Sequence, residues 1–277
     1  MPKPANRGMA RRDFLKAAAA AAGGAAVARA RQPAGGNAGP KTGPPASAPS
    51  QDLAPDSIVG RAVYDGTPPE PEAVDCSADP YCANLYRNEP LTREFVVVSQ
   101  DRRLKNVFVS VKKGLPENSK WPAPAKPAVL EENCRFEPHV FGVVAGQPLD
   151  LVNASRTFEA PRGHPKRNQE FSFNLPRKGM KGRVVLTRPE AFRIKCDVHP
   201  WELAWCHVVP HPFFAVSDAE GNFAIKGLSP GEYELEFWHE QLGAQTRKVR
   251  IEAGNPARIE DVKFKPGQKR RTRKARP

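Results

Sequence analysis

The chain has 277 residues, of which 39% are hydrophobic, so it can bury one sizeable core or two small ones. Its net charge of +13 would suggest a nucleic-acid partner if the charge lay on the folded body. Residues 1–31 hold seven basic residues and one acid, and residues 265–277 hold seven basic residues and no acid, which accounts for the whole excess. The segment between them is balanced, and we therefore expect no nucleic-acid binding.

The amino terminus carries Arg11 and Arg12 ahead of a Phe-Leu-Lys sequence and an alanine-rich apolar stretch. Ala28-Arg29-Ala30 then gives the small-x-small pattern of a cleavage site. Residues 1–31 resemble a twin-arginine (Tat) signal peptide, which implies a bacterial or archaeal protein exported to the periplasm or the cell exterior after folding. No apolar run reaches the roughly 18 residues of a membrane-spanning helix, so none is predicted.

Residues 32–56 are dominated by Pro, Gly and Ala, and we interpret them as a disordered linker that cannot form a core. Beyond them no segment shows sustained helical periodicity. Short β-branched or alternating runs predict strands at 58–64, 94–98, 106–111, 136–144, 149–153, 182–186 and 191–195. The second and third runs flank a polar turn, which predicts a hairpin. Together these patterns predict an all-β sandwich.

The sequence pattern changes in the segment 211–264, where an Asp/Glu-Gly turn is predicted between two strands and a Ser-Pro-Gly turn before a strand at 234–239. It resembles the carboxypeptidase regulatory-like, transthyretin-like β modules, which implies a fold and no activity. The basic tail 265–277 follows. It is either a solvated disordered end or a contact for an anionic surface such as phospholipid or acidic polysaccharide.

Five cysteines in an exported protein predict at least one disulfide and at least one free thiol. Cys76, Cys82 and Cys134 are the candidates for structural pairing, with Cys82–Cys134 preferred, although the sequence leaves the pairing open. Cys196 or Cys206 then remains as the thiol available to a metal.

Cys196 and His199 lie three residues apart in the sequence Cys-Asp-Val-His-Pro-Trp-Glu, which ends at Glu202. On one short turn they can direct a thiolate and an imidazole at the same ion, as copper and zinc sites require. The alternative is a buried cysteine that behaves as a small hydrophobe beside an ordinary loop histidine.

A family resemblance extends over most of residues 57–264. The motifs that carry it are Pro138-His139-Val140, Asn153-Ala154-Ser155, Asn168-Gln169-Glu170-Phe171, Cys196-Asp197-Val198-His199-Pro200-Trp201, His211-Pro212-Phe213-Phe214 and Trp238-His239-Glu240. They resemble exported cupredoxin-like proteins of planctomycetes, which join a blue-copper-type sandwich to a carboxypeptidase regulatory-like segment. The resemblance implies a Greek-key cupredoxin-like β-sandwich at 57–210, the appended segment at 211–264, bound copper, and ancestral electron transfer with a redox protein partner.

In that family the ligands are expected to be a His from Asn-Ser-Asp-x-x-x-His-Asn, and Cys, His and Met from Cys-Asp-x-His-Pro-Trp-Met. Here Cys196 and His199 match, whereas Glu159 falls at the first His position and Glu202 at the Met position. Charged oxygen ligands disfavour Cu(I), so an ordinary blue-copper relay is not expected.

Three interpretations remain open. The four residues form an altered site for Cu(II) or zinc; or His164 or His207 supplies a missing imidazole; or the metal has been lost. In the third case the sandwich is a metal-free binding or structural module of the cell envelope with a protein or glycan partner.

Other polar residues have simpler explanations. His139, His211 and His239 adjoin Pro or Trp in strand-edge motifs, where an imidazole most often bonds to backbone. Glu159 and Glu202 could suggest a glycosidase acid and base, but no neighbouring motif supports a cleft. The sequence contains no phosphate loop, nucleophile elbow or His-Glu-x-x-His motif, and we expect no enzymatic activity.

Overall fold

The computed structural model describes residues 56–117, 119, 121 and 128–267, with 128–131 described by their backbone alone. The predicted signal peptide 1–31, the linker 32–56 apart from its last residue, and residues 268–277 of the tail lie outside the described residues. Within the described part of the chain no helix has the length and apolar character needed to cross a membrane.

The described residues form many short strands and one six-residue helix, so the predicted all-β class is confirmed. The elements are β1 (Ser57–Tyr64), α1 (Pro80–Leu85), β2 (Phe108–Lys113), β3 (Ala128–Glu132), β4 (Arg135–Glu137), β5 (Val140–Val144), β6 (Pro148–Asn153), β7 (Pro161–Gly163), β8 (Phe171–Ser172), β9 (Lys181–Val185), β10 (Glu190–Cys196), β11 (Leu203–Val209), β12 (Phe214–Val216), β13 (Asn222–Lys226), β14 (Gly231–His239), β15 (Gly243–Ile251), β16 (Ala257–Arg258) and β17 (Val262–Phe264).

The middle of the chain forms two facing sheets, with strand orders β5-β11-β10-β7-β8 and β4-β3-β6-β9. The pairs β3–β6 and β5–β11 are parallel and therefore cannot be simple hairpins. Side chains along β10 alternate, so that Phe192, Ile194 and Cys196 point into the shared core. This architecture is consistent with the cupredoxin-like sandwich that the resemblance implies, and it buries the thiol of Cys196 at the end of a central strand.

The first two strands, β1 and β2, belong to the same sheets as the carboxy-terminal strands β12–β17. β1 pairs with β13, β16 and β17, while β2 lies between β12 and β14 in the sheet β12-β2-β14-β15. A second core forms here around fully buried side chains such as Ile58, Leu235 and Phe237. The domain boundary predicted at 210–211 stays a prediction; the pairing adds that β1 and β2 share sheets with the strands that follow it.

The predicted hairpin of 94–98 with 106–111 is wrong. Both edges of β2 are occupied by β12 and β14, so no edge remains for the earlier segment. Residues 94–98 contain no strand and contribute one isolated bridge, from Val98 to Leu104. The single strand predicted at 136–144 is divided into β4 and β5 at Pro138, which has no N–H to donate to a ladder.

The sequence patterns do not predict β11 or β15. β11 is central and nearly continuously buried, so it lacks the alternation that marks a strand with one exposed face. β15 is an edge strand with exposed Arg247, Lys248 and Arg250, and its polarity obscures its strand character.

The predicted disulfide between Cys82 and Cys134 is confirmed. It joins α1 to the turn before β4 across 52 residues of sequence. Cys76, Cys196 and Cys206 are free and buried. The crosslink anchors α1 beside the end of β10, where the candidate site lies.

Candidate metal centre

Two loops of the middle sandwich supply the four predicted ligand residues. Cys196 ends β10, and His199 and Glu202 lie in the turn to β11, which is closed by the Glu202 N–H donating to the His199 carbonyl at 3.0 Å. Glu159 precedes β7, where its backbone exchanges two hydrogen bonds with Leu175. The Asp197 N–H donates to the Ala160 carbonyl at 2.9 Å and thereby ties the two loops together.

The four side chains converge. Their candidate ligand atoms all lie within 4.8 Å of one another. The Cys196 Sγ is 3.5 Å from Glu159 Oε2 and 3.7 Å from His199 Nδ1. His199 Nδ1 is 3.0 Å from Glu159 Oε2 and 3.2 Å from Glu202 Oε1. Ligand bonds of about 2.0–2.3 Å in a tetrahedral site place neighbouring ligand atoms roughly 3.3–3.8 Å apart, so the cluster already has nearly the spacing of a coordination shell.

Solvent is excluded from this cluster. The exposed fractions are 0% for Glu159, 4% for Cys196, 3% for His199 and 2% for Glu202. Glu159 Oε1 and both carboxylate oxygens of Glu202 have no hydrogen-bond partner among the described residues, because the Glu202 contact with His199 has ion-pair distance without hydrogen-bond geometry. Buried carboxylate oxygens without donors are unfavourable unless a cation compensates them. The orphaned oxygens and the thiol, imidazole and carboxylate donor set therefore fit a divalent ion.

The buried environment shifts the pKa values of Cys196, His199 and Glu202. Burial raises the pKa of the Cys196 thiol. Burial likewise raises the pKa of Glu202 to about 7, against the opposing effect of the His199 imidazole. For His199, burial lowers the pKa, but hydrogen bonds with Cys196 and Glu159 and the nearby charge of Glu202 together raise it well above its ordinary value. Without an ion, the imidazole is therefore the positive charge of the cluster.

A fifth residue, Asp79, contacts the cluster and was not among the predicted site residues. Its Oδ2 lies 3.2 Å from His199 Nε2 and accepts a hydrogen bond from Thr157 Oγ1 at 2.5 Å. Its Oδ1 accepts from the Cys82 N–H at 2.9 Å as the N-cap of α1. Burial acts to raise the pKa of Asp79, but hydrogen bonds from Thr157, Cys82 and His199 together outweigh it, and the pKa is lowered. Asp followed by Pro is a helix-start signal in the sequence, but local sequence carries no information that this cap faces His199.

The structure places neither substitute histidine in the cluster. His164 is exposed. His207 stacks on Phe108 with ring centroids 3.9 Å apart and contacts Trp238 edge-on at 4.5 Å, on the face of β11 opposite to the core-facing Cys206. The site therefore contains one imidazole among the described residues.

The remaining histidines are also accounted for. His211 Nε2 contacts the Val111 carbonyl at 2.9 Å, as expected for a backbone-bonded imidazole. His239 Nδ1 accepts from the Gln241 N–H at 3.2 Å. His139 differs from expectation, because its Nε2 contacts the buried carboxylate of Glu240 and not a backbone group.

No family model matches the chain, and no curated protein matches it. Solved structures with partial similarity include the Cu-containing nitrite reductase (NirK) from Thermus scotoductus, at 18% identity and a TM-score of 0.29 over 35% of this chain and 25% of that one. A purple cupredoxin from Nitrosopumilus maritimus gives 14% identity and a TM-score of 0.26 over 30% of this chain and 100% of that one. A methionine-to-glutamine variant of amicyanin in its Cu(I) form gives 14% identity and a TM-score of 0.27 over 33% of this chain and 100% of that one.

The chain thus spans 25% of the nitrite reductase and the full length of the other two proteins. At these TM-scores the similarities carry no argument about function. What defines the protein is its own structure: an all-β chain with a buried cluster of one cysteine, one histidine and two glutamates.

Proposed function

We propose that this chain is an exported, cupredoxin-like metal-binding protein in which Cys196, His199, Glu159 and Glu202 hold one Cu(II) or zinc ion. The observation that supports the proposal is the convergence of one candidate ligand atom from each of four buried side chains within 4.8 Å. Among the described residues, Glu159 Oε1 and both carboxylate oxygens of Glu202 have no hydrogen-bond partner. Export through the twin-arginine pathway to the periplasm or beyond belongs to the proposal and rests on residues 1–31.

The donor set favours some metals over others. Thiolate and imidazole suit both copper and zinc, while two carboxylates stabilise a divalent ion relative to Cu(I). Bound copper would supply a one-electron acceptor, and bound zinc a fixed positive charge. The protein's part is to hold three anionic side chains and one imidazole in a pocket closed to bulk solvent. Because this ligand set disfavours Cu(I), we propose that the protein retains a divalent ion and no longer carries out the electron transfer expected of its ancestors.

The proposal contains no catalytic step. Glu202 lines a small cavity together with Cys134, Arg135, His139 and Trp201, and its volume is about 30 Å³. Such a volume accommodates one or two water molecules and no organic substrate. A protein partner of the cell envelope, and an anionic surface for the basic tail 265–277, complete the proposal.

One observation favours the alternative of a metal-free binding or structural module. Both ring nitrogens of His199 already have carboxylate partners, Asp79 at Nε2 and Glu159 at Nδ1, so the imidazole is satisfied without an ion. In this alternative the charged imidazole replaces the metal as the counterion of the carboxylates.

The test measures metal stoichiometry and a ligand-specific spectrum. Purified protein stripped of metal is titrated with Cu(II) and separately with zinc, and is followed by native mass spectrometry and visible absorption. One equivalent of metal and a thiolate-to-copper charge-transfer band are expected, and Cys196→Ala should abolish the band.

Cys206→Ala is the matched control, because Cys206 is also a free, buried thiol but packs in the core and is not part of the cluster. Its spectrum should equal that of the wild type. Substoichiometric metal with no band that depends on Cys196 would refute the metal-binding function and support the metal-free module.

A further inference from the structure

We infer that Asp79 is a positioning residue for the metal centre, which holds a proton on His199 Nε2 so that Nδ1 faces Cys196, Glu159 and Glu202. The inference rests on the proposed function, because it assigns the orientation of one of the proposed ligands. Asp79 itself is not placed among the ligands.

The Asp79 carboxylate acts toward His199 as a hydrogen-bond acceptor. Oδ1 accepts from the Cys82 N–H at 2.9 Å, and Oδ2 accepts from the Thr157 hydroxyl at 2.5 Å. An ionised carboxylate can only accept hydrogen bonds, so the 3.2 Å contact with His199 requires a proton on Nε2. When an ion is present, the lone pair of the imidazole is then on Nδ1, the nitrogen that faces the other three donors.

Asp79 is itself rigidly placed. It caps α1, which the Cys82–Cys134 disulfide fixes to the turn before β4. Trp201 reinforces the same region, because its Nε1–H donates to the Cys134 carbonyl at 3.2 Å and its ring lies 5.1 Å from the ring of His199. The orientation of His199 is therefore determined by groups 120 residues away in sequence.

Asp79 also joins the two ligand-bearing loops. Thr157, which donates to Asp79, lies two residues before Glu159, and His199 comes from the other loop. Carboxylate partners of ligating histidines fix the tautomer and raise the basicity of the ring, and removing such a partner typically lowers metal affinity about 10–100-fold.

The discriminating variant is Asp79→Asn. Its amide oxygen can keep the N-cap bond from Cys82, but its NH₂ group would then face His199 Nε2. A donor facing Nε2 favours the tautomer with the proton on Nδ1, which blocks the metal-facing nitrogen. We expect a 10–100-fold loss of Cu(II) or zinc affinity, measured by competition with a chelator of known affinity.

The matched control is Asp75→Asn, which removes the same charge four residues earlier from an exposed side chain whose carboxylate bonds locally to Ser77. Its affinity should stay within about twofold of the wild type. Thr157→Val removes the other donor to Asp79 Oδ2 and should have a smaller effect than Asp79→Asn. Thermal unfolding of all three variants establishes that they are folded.

A second readout does not depend on metal. ¹⁵N NMR of metal-free protein, with the His199 signals assigned by their loss in His199→Gln, should show a protonated Nε2 whose proton exchanges slowly. That signal should persist in Asp75→Asn and lose its protection in Asp79→Asn. Failure of the wild type to bind metal would refute the proposed function and leave this test intact. An unprotonated Nε2 in the wild type, or equal metal affinity of the two Asp→Asn variants, would overturn the role of Asp79.

Discussion

His207 should make the stability of this protein depend on pH. Its ring lies almost parallel to that of Phe108, with centroids 3.9 Å apart and an interplanar angle of 11°, and edge-on to Trp238. Nε2 is buried without a hydrogen-bond partner among the described residues. Burial, with a smaller contribution from the charge of Lys112, lowers the pKa of His207 to about 3. The native state therefore keeps this imidazole neutral.

The direction of this pH dependence follows from the protonation of His207 in the unfolded and native states. Below about pH 6.5 the unfolded chain binds a proton at this histidine, whereas the native state does not until the pH approaches 3. Stability is thus fully present above pH 6.5 and falls as the pH is lowered through the interval between the two pKa values. At about 1.4 kcal/mol per pH unit, His207 should lower the free energy of unfolding by about 2 kcal/mol between pH 8 and pH 5.

The perturbation that isolates this contribution is His207→Phe, which keeps a flat ring between Phe108 and Trp238 and cannot titrate. Urea unfolding of metal-free protein is measured at intervals from pH 8 to pH 5 for the wild type and the variant. The wild type should lose about 2 kcal/mol more than the variant, because every other titrating group, including the buried His239, is common to both. Parallel pH profiles would refute the reasoning.

Two further predictions concern the Cys82–Cys134 crosslink and the buried contact between His139 and Glu240. The double substitution Cys82→Ser and Cys134→Ser should lower the free energy of unfolding by about 4 kcal/mol, because it removes the loop-closure constraint of a 52-residue crosslink from the unfolded chain. The loss is measured by urea denaturation, and a loss under about 1 kcal/mol would contradict this prediction. Glu240→Ala should lower the free energy of unfolding by about 2–6 kcal/mol, because each of two buried donors that loses its acceptor costs about 1–3 kcal/mol. The donors are the His139 ring N–H and the Trp205 Nε1–H, which donates to Glu240 Oε2 at 2.9 Å. Glu240→Gln, which retains an acceptor oxygen, should lose less in the same denaturation experiment; an equal loss would show that charge alone is responsible.

The site was predictable from sequence to the extent that motif spacing determines it. Cys196 and His199 are three residues apart, so a single turn brings them together whatever the rest of the chain does. Glu159 was predicted through the resemblance, and the structure places its Oε2 3.0 Å from His199 Nδ1. Asp79 was not predicted, because it lies 120 residues from His199 in the sequence. Only the packing of α1 against the sandwich brings the two side chains into contact.

Composition and periodicity by themselves determined the all-β class, the location of the excess charge at the two ends, and a thiol–imidazole pair on one turn, because each of these depends on neighbours along the chain. The tertiary structure decided which strands pair. β2 lies between β12 and β14, although a local hairpin with 94–98 was expected, since pairing depends on which edges are left unoccupied after collapse. It also decided the character of the site. Burying two carboxylates beside a single imidazole is a consequence of the shared core, and this burial leaves Glu159 Oε1 and both oxygens of Glu202 without a hydrogen-bond partner among the described residues.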